Sequence, residues 1–332
     1  MNMVPPPVTP TPFDEGEAEH VFGAILDGKV GAEAIAGFLS DLSDRGETAA
    51  EIAGAARAMR ARMIPVAAPD NAIDVCGTGG DGHHTLNVST AVSLVVAACG
   101  VPVAKHGNRA ASSKAGAADT LEALGLNLAN AGARASETLS DIGIAFLFAQ
   151  THHPTLGPIA PIRRALGRRT IFNLMGPLAN PAQVKRQLVG IARPAYVPIY
   201  AQALSHLGTT HSFVVSGDEG LDELSLAGGN ECADVVGQTI AMHRVSAADV
   251  GLPVHPVEAL RGGDAAYNAD ALRRLLMGEE GAYRDAVLFN AAGALIVADE
   301  VKDWREGVEE AAEAIDKGLA KALLDCWIAA TR

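Results

Sequence analysis

A run of glycines at residues 77–82, GTGGDG, separates a short apolar segment from an apolar, helix-like one. Glycine lets the backbone turn through positive φ and approach a ligand closely, and the N–H groups of such a turn before a helix bind phosphate. Asn87, Ser89 and Thr90 follow where the helix would begin, as ligand contacts or as helix caps. We therefore predict a strand, an anion-binding loop and a helix, although glycine clusters also form ordinary turns.

A second polar segment, residues 105–113 (KHGNRAASS), holds two cations, a histidine, an amide and two hydroxyls. In a chain with a net charge of −13, such a cluster indicates a bound anion. Phosphate or pyrophosphate suits it, with Lys105 as a point charge and Arg109 as a planar pair of donors. The alternative is a solvated basic turn.

Two further patterns could complete such a site. Asp222 and Glu223 are adjacent after a predicted strand; alone they fit an exposed loop, but opposite a pyrophosphate they would bind Mg²⁺. Arg163 and Arg164 lie in a helix-like turn, where one would face solvent and the other could bind a carboxylate. Gly176-Pro177 and Asn180-Pro181 predict a stiff loop nearby.

The elements that position these residues follow from periodicity. Residues 17–63 show helical stripes, with Thr48 and Glu51 at capping-box spacing. After Asn71, apolar runs alternate with helical segments, which is typical of a mostly parallel sheet with helices on its faces. We predict strands at residues 73–76, 101–105, 144–148, 188–192, 212–215 and 239–243. We predict helices at residues 89–99, 119–124, 196–207, 269–277, 283–297 and 304–330, and only a loop at 252–266.

Composition narrows the class of protein. A net charge of −13 argues against non-specific nucleic-acid binding. The four dispersed cysteines form no zinc motif and indicate free thiols in a reducing compartment. The N-terminal residues do not resemble a signal peptide, and no apolar run reaches the length of a transmembrane helix. We expect a cytoplasmic enzyme without a membrane partner.

The ordered series of these motifs resembles the anthranilate phosphoribosyltransferases of tryptophan biosynthesis. It includes residues 45–60, the two polar loops, residues 172–181 (FNLMGPLANP) and residues 220–225 (GLDELS). The resemblance implies an α/β fold with a small N-terminal helical domain, residues 1–66, and a large α/β domain, residues 67–332, whose mostly parallel sheet is flanked by helices. It also implies that residues 158–185 pack with the helical domain and that the protein is a homodimer.

The resemblance further implies a Mg²⁺-dependent transfer of the phosphoribosyl group of phosphoribosyl pyrophosphate to the amine of anthranilate. Anthranilate would contact Gly77, Asn108 and Arg163. Ser89 and Glu223 would hold one Mg²⁺, and Asp222 and Glu223 would hold a second. No single residue would act as the catalytic acid or base. Phosphoribosyl pyrophosphate would contact Gly77, Gly80, Asp81, Thr85, Asn87, Val88, Ser89, Thr90, Lys105, His106, Gly107, Asn108, Arg109, Ala110, Ala111, Ser112, Ser113 and Ala117.

Three departures from the family pattern bear on affinity. Ala115 and Ala117 replace residues whose hydroxyls usually face the phosphoribosyl group, residues 155–158 differ at the anthranilate entrance, and Ser216 replaces a common histidine. The rival interpretations are a pyrimidine nucleoside phosphorylase and a non-catalytic nucleic-acid-binding relative on the same fold. The acidic pair and the order of the basic loop weigh against the first. The second would show a basic groove and damaged metal-binding residues, neither of which the sequence indicates.

Overall fold

Within the residues that the computed structural model describes, 5–110 and 114–332, seven strands form one sheet in the order β3-β2-β1-β4-β5-β6-β7. The first five strands in this order are parallel to one another, whereas β6 pairs antiparallel with both β5 and β7. Ala111, Ser112 and Ser113, predicted to bind phosphate, lie outside the described residues. The strands are β1 Ile73–Gly77, β2 Val103–Gly107, β3 Ile144–Phe148, β4 Arg186–Gly190, β5 His211–Gly217, β6 Gly229–Val236 and β7 Thr239–Ser246.

Helices cover both faces of this sheet, with short 3₁₀ turns between them. Their bounds are α1 Glu15–Leu26, α2 Ala32–Arg45, α3 Ala49–Arg60, α4 Val88–Ala98, α5 Ala117–Leu124, α6 Leu128–Ala133, α7 Ala135–Asp141, α8 Ala149–His152, α9 Ala160–Leu166, α10 Val197–His206, α11 Ala265–Leu276, α12 Ala282–Val297, α13 Trp304–Asp316 and α14 Leu319–Ala330. Among the described residues, no helix is long and apolar enough to cross a membrane.

Alternate strand residues supply the two larger of three apolar clusters found among the described residues. In β5, Phe213 and Val215 pack with α4 and α11–α14, whereas Val214 packs with α1–α3 and α10. In β4, Leu188 and Val189 divide in the same way. Because successive side chains of a strand point to opposite faces, each strand joins the two layers.

The N-terminal helices form a unit that includes a later part of the chain. The Thr48 hydroxyl accepts from Glu51 N–H and the Glu51 carboxylate accepts from Thr48 N–H, so the predicted capping box is present. Helix α9 packs against α2, and Phe172 meets Phe22 edge-on at a centroid distance of 5.8 Å. Residues from 159 to 179 therefore share the core of α1–α3.

The sequence predictions differ from the structure at several places. Strands β2 and β4 are displaced by two residues from their predicted bounds, and the short helices α6, α7 and α8 were not predicted. Strand β6 was not predicted, because glycine and polar residues at 229–231 obscure its alternation. The helix predicted at 304–330 is two helices, because Gly318 at φ 72° ends the first and begins the second. Residues 252–266, predicted as a loop, contain the 3₁₀ turn Val257–Leu260 and pair Arg261 with Thr85.

Two helical glycines give a matched test of this packing. An added Cβ at Gly54 in α3 would lie 2.5 Å from the Glu15 carbonyl oxygen and 2.7 Å from Ala18 Cβ, whereas at Gly37 in α2 it meets nothing within 4 Å. Gly54→Ala should lower the free energy of unfolding by about 1–3 kcal/mol through overpacking, and Gly37→Ala should raise it by about 0.5–1 kcal/mol. Urea denaturation measures both, and equal effects would refute the close α1–α3 contact.

Candidate functional site

The site lies where neighbouring parallel strands end at glycines. Strands β1, β2, β4 and β5 end at Gly77, Gly107, Gly190 and Gly217. Loops that follow the carboxyl ends of parallel strands converge on one edge of the sheet, where ligands of such folds bind. The glycine loop after β1, the basic loop after β2 and the acidic loop after β5 therefore meet there, as their sequence positions predicted.

Two of these glycines make room for the part of the acidic loop that carries Asp222 and Glu223, here called the acidic turn. An added Cβ at Gly190 would lie 1.6 Å from the Asp222 carbonyl oxygen, and at Gly77 it would lie 2.2 Å from Asp222 Oδ2. A Cβ does not approach a non-bonded heavy atom within 3 Å, so a side chain at either position would displace Asp222. Gly190 was not among the predicted site residues, although a glycine inside a central strand indicates a close backbone approach.

The two carboxylates face the start of α4 and the glycine loop. Asp222 Oδ2 accepts a hydrogen bond of 2.6 Å from Gly79 N–H. Glu223 Oε1 accepts one of 3.3 Å from Ser89 N–H, at the first turn of α4. Behind them, Asn290 of α12 bonds both backbone groups of Leu224, at 2.9 and 3.0 Å. The pair therefore lies on a fixed backbone.

Burial and mutual repulsion make negative charge unfavourable on this pair. Burial, and then the neighbouring Asp81 carboxylate, raise the pKa of Asp222 above its ordinary range. Burial, and then Asp222, raise the pKa of Glu223 in the same direction, against the lowering effect of Lys105. A cation beside both carboxylates would relieve this repulsion.

Lys105 is buried below the site instead of projecting into it. Its Nζ donates to the Val75 carbonyl at 2.8 Å and to Ser89 Oγ at 3.2 Å, and its side chain is almost fully covered. The ammonium therefore orients Ser89 and lends positive charge to Glu223. Its neighbour Asp74 is also buried and accepts from His106 N–H.

His106 is neutral and held in place. Its Nδ1 lies 2.8 Å from the Gly176 carbonyl oxygen. Burial, and then the nearby His153, lower the pKa of His106 to about 3. The neutral imidazole is thus fixed against the 172–181 loop, and the positioning role expected from the sequence stays a prediction.

The other predicted residues of the basic loop are more exposed. Arg109 pairs with Asp119 at 2.9 Å and with Glu122, both on α5. Asn108 faces solvent, where its Oδ1 accepts a long bond of 3.4 Å from Gln150 Nε2. Ala110 N–H donates to Asp119 at 2.9 Å. Arg109 is thus held by carboxylates that an incoming phosphate would have to replace.

Asn87 occupies the N-cap position of α4, but its side chain connects the glycine loop to distant segments instead of capping the helix. Its Oδ1 accepts from Thr120 Oγ1 at 2.6 Å and from Asn268 Nδ2 at 2.9 Å, and its Nδ2 donates to the Ala115 carbonyl at 3.3 Å. The structure gives Asn87 no side-chain cap bond. Asn268 lies in α11, and no pattern in the sequence pointed to it.

The remaining predicted residues occupy the same edge. Thr85 forms an isolated bridge with Arg261. Val88 and Thr90 are buried in the first turn of α4, and Ala117 begins α5. Gly80, at φ 75°, lies beside the guanidinium of Arg169, another residue that the sequence did not single out.

Arg163 faces the protein and Arg164 faces solvent, as the sequence predicted for this pair. Arg163 is half-buried in α9, with Cζ 5.6 Å from the centroid of the Phe172 ring, and burial lowers its pKa. Among the described residues it has no acidic partner, whereas Arg164 is exposed. A sheltered guanidinium without a counter-ion can receive a ligand carboxylate.

The carboxylate pair gives the apo protein a characteristic pH dependence. Because the folded-state pKa of Asp222 is raised, the stability of the protein falls as pH rises from the unfolded value of about 4 through the folded value. Asp222→Asn should therefore raise the free energy of unfolding by about 1–2 kcal/mol at pH 8 in chelator, and by much less near pH 4. Urea denaturation across this range measures it. Asp218→Asn, an exposed carboxylate of the same loop, should give no such gain, and a pH-independent difference for Asp222→Asn would contradict the raised pKa.

Known proteins match this chain over its whole length. The model of the glycosyl transferase family helical bundle domain matches residues 10–63, and that of the family's a/b domain matches residues 69–321. Anthranilate phosphoribosyltransferase of Novosphingobium aromaticivorans is 76% identical over 330 residues, with 99% of each chain covered. That of Caulobacter vibrioides is 50% identical, covering 96% of this chain and 93% of its own.

Solved structures agree. The anthranilate phosphoribosyltransferase of Thermus thermophilus superposes with a TM-score of 0.93 at 42% identity, covering 97% of both chains. The Saccharomyces cerevisiae enzyme in complex with PRPP and Mg gives a TM-score of 0.88 at 26% identity, covering 96% of this chain and 93% of its own. The family models, the identities and the superpositions all point one way: the chain belongs to the anthranilate phosphoribosyltransferase family.

Proposed function

We propose that the protein transfers the phosphoribosyl group of phosphoribosyl pyrophosphate to the amine of anthranilate, forming N-(5-phosphoribosyl)anthranilate and pyrophosphate in tryptophan biosynthesis. The observation that supports this function best is the close packing of the acidic turn against Gly77 and Gly190, with Glu223 hydrogen-bonded to the start of α4. This packing places the carboxylates of Asp222 and Glu223 beside the glycine loop and the basic loop. Two relatives that match 99% and 96% of this chain are named anthranilate phosphoribosyltransferase.

The reaction requires alignment more than acid-base chemistry. The amine nitrogen forms a bond to the anomeric carbon while the carbon–oxygen bond to pyrophosphate breaks, and the bonding electrons leave with pyrophosphate. The nitrogen then loses a proton. The transition state resembles an oxocarbenium ion, as in glycoside cleavage, so rate comes from binding the leaving group and orienting the two substrates.

The donor would lie across the two polar loops. The backbone N–H groups of the glycine loop and of the first turn of α4 would face the phosphates, together with Thr85, Asn87 and Arg109. Lys105 and His106 act from below, by fixing Ser89 and the 172–181 loop. We propose that all the donor-binding residues predicted from the sequence serve in these ways, including Ala111, Ser112 and Ser113.

The residues present fit Mg²⁺. Among the described residues, no group of three or more His, Cys, Asp and Glu side chains could hold a metal alone. The adjacent Asp222 and Glu223, whose negative charge is unfavourable without a cation, are the donor set that Mg²⁺ uses when substrate phosphates and waters complete its shell. We propose two ions, one held by Ser89 and Glu223 and one by Asp222 and Glu223. Bound Mg²⁺ would neutralise charge on the pyrophosphate.

The acceptor would lie between Gly77, Asn108 and Arg163. The unpaired guanidinium of Arg163 would bind the anthranilate carboxylate, and the exposed amide of Asn108 would orient the ring. A yeast relative was solved with 4-fluoroanthranilate, which has the same carboxylate and amine. We also propose a homodimer formed through α1–α3, for which the solution mass should be twice the 34.1 kDa of the chain.

Neither rival function is supported by a specific observation. A pyrimidine nucleoside phosphorylase would use phosphate as its nucleophile, and an assay with thymidine and phosphate in place of anthranilate distinguishes the two. A nucleic-acid-binding relative would need a basic groove, whereas the carboxylate pair of this chain is intact and its net charge is −13.

Removal of both carboxylates tests the metal assignment. The variant with Asp222→Ala and Glu223→Ala should lose Mg²⁺-dependent turnover, because no protein carboxylate would then hold either ion against the pyrophosphate. The loss of anthranilate fluorescence in the presence of phosphoribosyl pyrophosphate and Mg²⁺ measures it. Asp218→Ala in the same loop should retain activity, and turnover like that of the wild type in the double variant would refute the assignment.

Arg163→Ala tests the acceptor site. Loss of a charge-assisted hydrogen bond should raise KM for anthranilate by about 10- to 100-fold and leave KM for phosphoribosyl pyrophosphate within about threefold. Steady-state kinetics with each substrate varied in turn measures both constants. Arg164→Ala is the matched control, since its side chain is exposed. Equal effects of Arg163→Ala on the two substrates would contradict a carboxylate-binding role.

A further inference from the structure

Arg169 joins the helical layer to the glycine loop. It follows α9, which packs against α2, and its own carbonyl oxygen accepts a hydrogen bond of 3.1 Å from Ser43 Oγ of α2. Its side chain extends away from α2 to the opposite wall of the site, where Nη2 donates to the Gly79 carbonyl oxygen. Ser43, Thr78 and Arg169 line one small pocket between these walls.

Gly79 is therefore held on both of its polar groups. Its N–H donates to Asp222 Oδ2 at 2.6 Å, and its carbonyl oxygen accepts from Arg169. The next residue, Gly80, has a φ of 75°, which favours glycine, and an added Cβ there would lie 2.7 Å from Arg169 Nη2 and displace the guanidinium. The backbone of the loop is fixed between a carboxylate of the acidic turn and a guanidinium carried by the helical layer.

Charge favours the same arrangement. The guanidinium of Arg169 is attracted to Asp222 and Asp81 and repelled by Arg193. Among the described residues Arg169 forms no ion pair within 4 Å, so its direct contact is the Gly79 carbonyl. The adjacent Arg168 differs in this respect, because it pairs with Asp44 on the outer surface of α2.

We propose that Arg169 is a positioning residue that fixes the Gly79 and Gly80 backbone for the phosphoribosyl donor and links the helical layer to the metal-binding turn. This inference rests on the proposed function for its substrate, but the contacts themselves do not depend on it. When Asp222 turns its charge toward a cation, its bond to Gly79 N–H weakens, and the carbonyl bond from Arg169 keeps the loop in place.

Arg169→Ala should act on the donor side of the reaction. Loss of a hydrogen bond from a charged donor corresponds to about a 10- to 100-fold rise in KM for phosphoribosyl pyrophosphate. The Mg²⁺ concentration for half-maximal activity should rise with it, and KM for anthranilate should change less than about threefold. Arg169→Lys should recover part of the loss, because a single donor suffices for one carbonyl. Arg168→Ala, the matched control, should behave as wild type.

Hydrogen exchange tests the contact without any substrate. Amide exchange of residues 77–86, followed by mass spectrometry in the folded protein, should be about tenfold faster in Arg169→Ala than in wild type or Arg168→Ala, because local opening then breaks one hydrogen bond fewer. Ser43→Ala should shift the same amides in the same direction by a smaller factor. Unchanged thermal unfolding midpoints would show that the effect is local.

The outcomes separate the inference from the proposed function. If Arg169→Ala matches Arg168→Ala in both exchange and donor KM, or if its effect falls on anthranilate alone, the positioning role is overturned. If the wild-type protein does not convert anthranilate and phosphoribosyl pyrophosphate, the proposed function fails, and the exchange comparison still decides whether Arg169 holds the loop.

Discussion

The close approach of the acidic turn to the ends of β1 and β4 is the constraint on which the site depends. The Asp222 backbone lies where a side chain at Gly190 would be, and its carboxylate lies where one at Gly77 would be. This contact sets the distance between the carboxylates and the glycine loop, and hence the space for a cation and a phosphate. Any larger residue at either strand end would push the turn outward and separate the groups that must act together.

Seating two carboxylates in this way concentrates negative charge where water is partly excluded. The nearby donors, Gly79 N–H, Ser89 N–H and the Lys105 ammonium, lower this cost without removing it, because the pKa values of both acids stay raised. The free protein thus retains an unfavourable charge pair, which a bound cation would relieve. Lys105 lies beneath Ser89 and does not project into the site, and its positive charge lowers the pKa of Glu223 without cancelling the effect of burial.

The opposite wall of the site belongs to the helical layer and to the chain segment packed against it. Arg163 of α9 has no acidic partner in the described part of the chain, and the 172–181 loop holds His106 through the Gly176 carbonyl. Arg169 crosses from this wall to the glycine loop. The two walls are therefore joined by specific hydrogen bonds as well as by a shared apolar core. A change in the packing of α2 would for this reason alter the position of the glycine loop.

The sequence by itself determined the layer architecture, most strands and helices, and the loops that carry chemistry, because periodicity and the spacing of glycines and charges are local properties. The ordered motifs also pointed to the family. Only the tertiary structure showed that Gly190 is a steric partner of Asp222, that Lys105 supports Ser89 from below, and that Asn268 and Arg169 reach the loop from distant elements. Those contacts join residues separated by 16 to 181 positions. No local pattern encodes such pairs, because they arise from the order in which strands assemble and from the packing of the two layers.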